Sequence, residues 1–369
     1  MKPPVALRAL ITNNTLAERS GSVLYVRDLT RGLLARGIVP ALYTSMRGEI
    51  ADEFERAGVE VVDDLRRLSM RPDVIHGHHE IPAMSAFLHF PGVPGIFVCH
   101  DRHHHSDIPP KFPRIRRYVS VDYFSRERLV EHGIPEERIR VVPNGVDLER
   151  FAARGPLPGR PRRALIFSNN ASERTYVPAV REACARAGVS VDVIGLAAGR
   201  VCTTPEAVLG QYDIVLAKGR CALEAAAVGT AVILCDAVGA GPLVTAANLD
   251  TVRYIDGQGI RHWLRPLRPD IIAKEIAGYD AEDAAEVSRR VREWVDLRTT
   301  VAQLVAIYQE ALVEQASAVT TEGDEAAAAA AYWLTSRNRR LRDRLKHLPG
   351  IGRVMLAMKQ KIAPYRPVF

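Results

Sequence analysis

Along roughly the first 147 residues, short apolar runs alternate with stretches whose apolar positions recur every three or four residues. VALRALIT, VPALYTS, VEVV, PDVIHGHH, PGIFVCHD, RYVSVD and IRVVPNGVD read as strands, and SVLYVRDLTRGLLARG, EIADEFERAG and SRERLVEHG as helices, each closed by a glycine. Strands separated by helical connections pair in parallel, so this part predicts an open α/β sheet with ligands at the carboxyl ends of its strands. LERFAARGPLPGRPRR, 148–163, then interrupts the pattern with Pro, Gly and Arg and no apolar period.

The same alternation resumes after it. ALIFSN, SVDVIG, YDIVLAKG and AVILCD read as strands, YVPAVREACARAG, PEAVLGQ and RCALEAAAVG as helices, and GPLVTAANLDTVR as a helix and loop. The chain therefore predicts two Rossmann-like domains, 1–152 and 164–316, joined by a linker at 153–163. Two helical patterns, AEDAAEVSRRVREWVD and TVAQLVAIYQEALVEQ, cover the second sheet and return toward the first domain. The remainder, 317–369, reads as a flexible connection, SAVTTEGDEAAAAAA, and a basic amphipathic tail.

Composition narrows the function classes without choosing among them. With 369 residues, 47% hydrophobic and 25% charged, the chain is an ordinary globular protein long enough for two cores. A formal charge of +7 is small for this length; it suits phosphorylated small molecules and does not indicate nucleic acid. Five cysteines without metal-type spacing fit a reducing cytoplasm, the N-terminal stretch lacks the order of a signal peptide, and no apolar run reaches the roughly 20 residues of a membrane span.

The candidate chemistry centres on KGRCALEAAAVG, 218–229. Glu224 lies about one turn into a small-residue helix that follows a strand, near the edge where helix amides and dipole favour phosphate. Lys218, Gly219 and Arg220 form the turn: glycine admits a ligand to the backbone, and the cations suit a diphosphate. The carboxylate then accepts from the paired hydroxyls of a ribose, or merely favours a helix N-terminus. HGHHE and HDRHHH, the latter including His103, His104 and His105, do not reproduce a zinc spacing, so no metal is expected.

These stretches resemble the retaining GT-B glycosyltransferases of family 4. YDIVLAKGRCALEAAAVGTAVILCD is similar to the family's donor-binding segment, RSGSVLYVRDLTRGLLARG to its first loop and helix, PDVIHGHHEIPAMSA to its fourth strand and loop, and SRERLVEHGIPEERIRVVPNGVDLERF to the end of its first domain. The resemblance implies transfer of a sugar, with retention and without cofactor or metal, from a nucleotide diphosphate sugar to a glycan, lipid-linked or natural-product hydroxyl. Glu224, Lys218, Gly219, Arg220, Arg174, Asn169, Gly239, Gly241, Gly21 and Ser22 then bind donor, His100 acts at the transferred sugar, and Asn144 and Gly145 serve as a hinge. The family's earlier carboxylate, eight positions before Glu224, is replaced by Leu216. That departure keeps a non-catalytic nucleotide-sugar scaffold and a nucleotide-sugar epimerase as alternatives. The basic tail predicts an anionic membrane surface as a further partner, or a helix packed across both domains.

Overall fold

The computed structural model describes residues 6–17, 19–102, 104–254, 265–318 and 322–346. Strands β1 (Arg8–Asn13), β2 (Val39–Thr44), β3 (Glu60–Val62), β4 (Val74–His78), β5 (Gly95–Cys99), β6 (Ile115–Ser120) and β7 (Ile139–Val141) form a sheet in the order β3-β2-β1-β4-β5-β6-β7. Every pairing is parallel. Helices α1 (Gly21–Leu34), α2 (Glu49–Arg56), α3 (Glu80–His89) and α4 (Tyr123–Glu131) connect the strands. β4 and β5 are buried throughout, as strands covered on both faces must be. The sequence reading left α3 out, because its residues are apolar on nearly every side and show no helical period.

The second sheet runs β12-β11-β10-β8-β9, from β8 (Arg163–Phe167), β9 (Ser190–Ile194), β10 (Ile214–Ala217), β11 (Ala231–Asp236) and β12 (Gly239–Leu243). Its helices are α5 (Val177–Arg186), α6 (Pro205–Val208), α7 (Gly219–Val228), α8 (Leu249–Tyr254), α9 (Pro269–Ala277) and α10 (Ala281–Trp294). The expected helix and loop at 241–253 needs correction: residues 239–243 pair antiparallel with β11, and the helix begins at Leu249. Gly241 permits that pairing, since a Cβ there would lie 2.9 Å from the Leu234 Cβ.

The last two helices redraw the domain limits. α11 (Leu297–Ser317) leaves the second domain and buries Val301, Leu304, Ile307, Tyr308 and Ala311 in the core of the first. Arg117 also pairs with Glu310 and Glu314 of this helix. The second domain's own packing ends at α10, and α11 is the closing helix that returns to the first domain. α12 (Glu322–Lys346) replaces the expected flexible connection, as a run of alanines, the best helix formers, allows. It rests on the first domain through Ala328, Ala329 and Tyr332, with Glu325 bonded to Arg114 at 2.8 Å. Residues 347–369 of the expected tail lie outside the described residues.

Two chain crossings join the domains, and they touch. Val146 donates to the Val295 carbonyl at 2.6 Å, and Leu297 donates to the Val146 carbonyl at 3.0 Å. Gly145 has to be glycine here: a Cβ would stand 2.7 Å from the Leu297 Cα and 2.9 Å from the Thr300 hydroxyl. Asn144 and Gly145, expected as a hinge, thus sit where both crossings meet.

Candidate active site

Each sheet reverses its strand order once, between β1 and β4 in the first and between β8 and β10 in the second, and ligand crevices open at such points. The two crevices communicate. Asn169, just after β8, accepts from the Leu196 amide at 3.2 Å and donates to the Arg19 carbonyl in the loop before α1 at 3.4 Å. Gly21 and Ser22 open α1 beside that loop, and a Cβ at Gly21 would meet no atom within 4 Å.

On the second domain, Lys218 ends the chain's exit from β10 and Gly219 starts α7 with φ +55°, the left-handed region that glycine tolerates. No side chain caps this ten-residue helix, so its first amides face the crevice. Lys218 forms an ion pair with Asp236 at the end of β11. Leu216 is fully buried in β10, so its position supplies core packing rather than a polar contact. Arg174 is exposed and lines a hollow with Arg181 and Arg200 on the β9 side of the sheet. Gly239 and Gly241 are absorbed into β12, where the Ala240 amide bonds to the Arg265 carbonyl and Arg265 bonds to the Gly241 carbonyl at 2.7 Å.

Glu224 is 3% exposed and its partner is Arg220, one turn back on α7, whose Nε donates to Oε1 at 2.7 Å. The same guanidinium pairs with Asp28 of α1, across the domain boundary. Asp28 also accepts from Arg27 at 3.1 Å and lies 3.7 Å from Arg150, which in turn bonds Glu206 at 2.8 Å. Three guanidiniums and three carboxylates therefore interlock between the domains. Burial raises the Glu224 carboxyl pKa, with Arg220 opposing; for Asp28 burial pushes upward too, but Arg220 and Arg27 outweigh it and the pKa falls. The sequence reading missed Asp28. Its signal was an Arg-Asp pair between Val26 and Leu29, in the middle of the apolar positions of a helix.

The first crevice carries histidines. His100 follows β5 and is half-buried; its Nε2 lies 2.6 Å from Nδ1 of the buried His78 at the end of β4. His76, two residues earlier on the same strand face, meets the Tyr308 hydroxyl of α11 at 2.5 Å. Tyr25 of α1 sets its ring edge-on against both His78 and His100. Burial lowers all three imidazoles, His76 and His100 to about 3, so they are neutral at pH 7. Asn13, at the end of β1, is 2% exposed with both amide atoms lacking a partner among the described residues. His79 takes φ +57° and accepts from the Asn14 amide at 3.1 Å, which fixes the exit of β1 to that of β4. His103 lies outside the described residues. Among those described, no three His, Cys, Asp or Glu side chains converge as a metal-binding set.

Between α7 and the ends of β6 and β7 lies a cavity of ≈ 300 Å³. Gly219, Ala222 and Leu223 face Val121, Val141 and Pro143 across it, and Asp122 is the one charged lining residue among those described. So aliphatic a space does not suit a diphosphate.

Residues 19–150 match the family model Glycosyltransferase Family 4. No curated protein matches the chain. Among solved structures, Anabaena HepE in complex with UDP-glucose aligns with a TM-score of 0.57 and 13% identity over 82% of this chain and all of that one. Acinetobacter baumannii MurG aligns at 0.51 and 11% identity, over 82% of this chain and 99% of that one. A kitacinnamycin glycosyltransferase aligns at 0.51 and 12% identity, over 83% of this chain and 100% of that one. The first domain is thus similar to that family's model, and the two facing sheets have the GT-B fold that these structures share.

Proposed function

We propose that the protein transfers a sugar from a nucleotide diphosphate sugar to an acceptor hydroxyl. The observation that carries this reading is the opposition of the two strand-order reversals, linked by Asn169 and Arg19, in a fold that HepE presents with UDP-glucose bound. The bond between the anomeric carbon and the phosphate oxygen breaks, a bond to the acceptor oxygen forms, and the acceptor proton passes to the departing phosphate with configuration retained. Charge that builds on the diphosphate falls to Lys218, Arg174 and the amides of Gly219 to Cys221. Lys218 exchanges Asp236 for phosphate, Arg220 holds Glu224 in the pose that receives the ribose, and His100 directs the sugar.

Full-length protein incubated with a panel of nucleotide sugars, including UDP-glucose, tests this by nucleotide release with and without glycan and lipid-linked acceptors. Acceptor-dependent release supports transfer. Glu224→Ala is expected to weaken donor binding about tenfold or more by calorimetry, the loss of a charge-assisted bond. Binding without release in every acceptor arm favours the scaffold alternative, to which the burial of Leu216 gives some weight.

α12 also supports an anionic membrane as a docking surface. Between 337 and 346 its sequence holds six Arg or Lys and one Asp, next to Trp333 and Leu334, which are 57% and 55% exposed. No helix of the described residues is long and apolar enough to span a bilayer, so the contact is peripheral. Sedimentation with vesicles containing anionic lipid, abolished by truncation after Ala331, is the expected result; co-sedimentation unchanged by truncation removes the proposal.

A further inference from the structure

The histidine pair at the ends of β4 and β5 carries an inference that rests on the reading of His100 as the sugar-directing group. His78 and His100 meet nitrogen to nitrogen at 2.6 Å, with ring centroids 4.8 Å apart and planes only 20° from parallel. Centroids so much farther apart than the nitrogens mean that the rings meet edge to edge, as an N–H···N bond requires. Both imidazoles are neutral, so one nitrogen donates and the other accepts.

Two tautomer arrangements satisfy that bond, and the surroundings separate them. If His100 donates from Nε2, the His78 proton sits on its own Nε2, which is buried and has no partner among the described residues. That arrangement strands an N–H in an apolar interior. If His78 donates from Nδ1, its Nε2 keeps only a lone pair, and stranded N–H groups are the rarer of the two in folded proteins. His100 must then carry its proton on Nδ1, the ring nitrogen not used in the pair, while keeping part of its surface open to the crevice.

We infer that His78 is a positioning residue: it donates to His100 Nε2 and thereby fixes His100 as a neutral Nδ1–H donor aimed at a hydroxyl of the transferred sugar. The rest of the cluster serves this arrangement. Thr12 exchanges hydrogen bonds with the His78 backbone, its hydroxyl donating to the His78 carbonyl or accepting from the His78 amide, both at 3.0 Å. Tyr25 packs edge-on against both rings, with centroids 5.2 Å from His78 and 4.8 Å from His100. His76 backs His78 at 4.5 Å and is itself anchored by Tyr308 of α11. The helix that returns from the second domain thus braces the ring that sets the tautomer of a cleft histidine.

The test uses full-length protein, its histidines labelled with 15N, and the variants His78→Leu and His78→Asn. Nitrogen shifts of the wild type are expected to show His100 protonated on Nδ1, and His78→Leu to release that preference. His78→Asn, whose amide N–H falls near the former Nδ1, restores it. With a nucleotide sugar that the wild type turns over, His78→Leu is expected to lower kcat about 10- to 100-fold with little change in donor KM. His78→Asn recovers most of that loss. A merely structural role predicts the reverse: Leu in an apolar site preserves the thermal midpoint and leaves kcat intact. The inference is overturned if His100 is protonated on Nε2 in the wild type, or if His78→Leu leaves both tautomer and kcat unchanged. The spectroscopic arm needs no turnover, so a protein that transfers no sugar still shows which nitrogen of His100 holds the proton.

Discussion

His76 and His100 stay neutral because burial, reinforced by neighbouring imidazoles, lowers them from 6.5 to about 3, against only Asp101 at His100, and His78 falls well below its usual value. An unfolded chain binds protons there between those limits and the folded chain does not, so stability is full above pH 6.5 and is lost as pH falls toward 3. Asp107 works the other way. Burial raises its carboxyl to about 7, against the pull of Arg128, so the folded chain takes up one proton that the unfolded chain does not between pH 7 and 3.8. The lowered imidazoles of His76, His78, His79 and His100 outnumber the carboxyls that burial raises, Asp107, Asp122 and Glu224, and leave a net loss of about 1.4 kcal/mol per pH unit on acidification through pH 6 to 4. Urea unfolding at pH 7, 6 and 5 checks this; flat or rising stability contradicts buried neutral imidazoles. Asp107→Asn is expected to raise stability at pH 8 and to steepen the acid limb. The sequence exposed HGHH and HDRHHH as clusters, but one-dimensional spacing shows neither that residues 78 and 100 touch nor that burial is deep enough to hold them neutral.

Most elements were legible because parallel strands and amphipathic helices carry their periods in the chain. The first sheet, the second sheet through β11 and the breaks around 152–163 follow directly from alternation and turn residues. α3 failed because a helix buried on most sides has no polar face to reveal its period. β12 failed because two glycines and a proline argue against a strand, yet here they let an edge strand press against Leu234. α11 reads as a helix returning toward the first domain, but its particular partners there, His76, Arg116 and Arg117, lie about 200 positions away and leave no local signal. The crossing between Gly145 and the start of α11 yields a prediction at this scale. Gly145→Ala forces a methyl against Leu297 backbone and is expected to destabilise by about 1–3 kcal/mol, as overpacking does. Gly155→Ala in the same linker region meets no atom within 4 Å and serves as the neutral control by thermal unfolding.

At the scale of the whole molecule, the charge network through Asp28 spans the two domains. A carboxylate 1% exposed, held by Arg220 from the other domain and Arg27 from its own, is stable only while its partners stay in place. Deleting one member of such a buried set costs about 3–5 kcal/mol, because the remaining charges are left unpaired away from water. Replacing the set by apolar residues of similar volume comes near to neutral. Asp28→Ala is therefore expected to lower the unfolding free energy by that amount and to loosen the domain contact, read as a larger radius of gyration by solution scattering. The triple variant Asp28→Leu with Arg220→Met and Glu224→Leu leaves neither buried carboxylate behind and should recover much of the stability. It lacks Glu224, so the triple variant should still bind nucleotide sugar poorly. Recovery of stability without recovery of donor binding separates the clamp between domains from the carboxylate it orients. If Asp28→Ala changes neither stability nor radius, the domains are held by the paired crossings at Val146 and Leu297 instead, and Arg220 serves Glu224 alone.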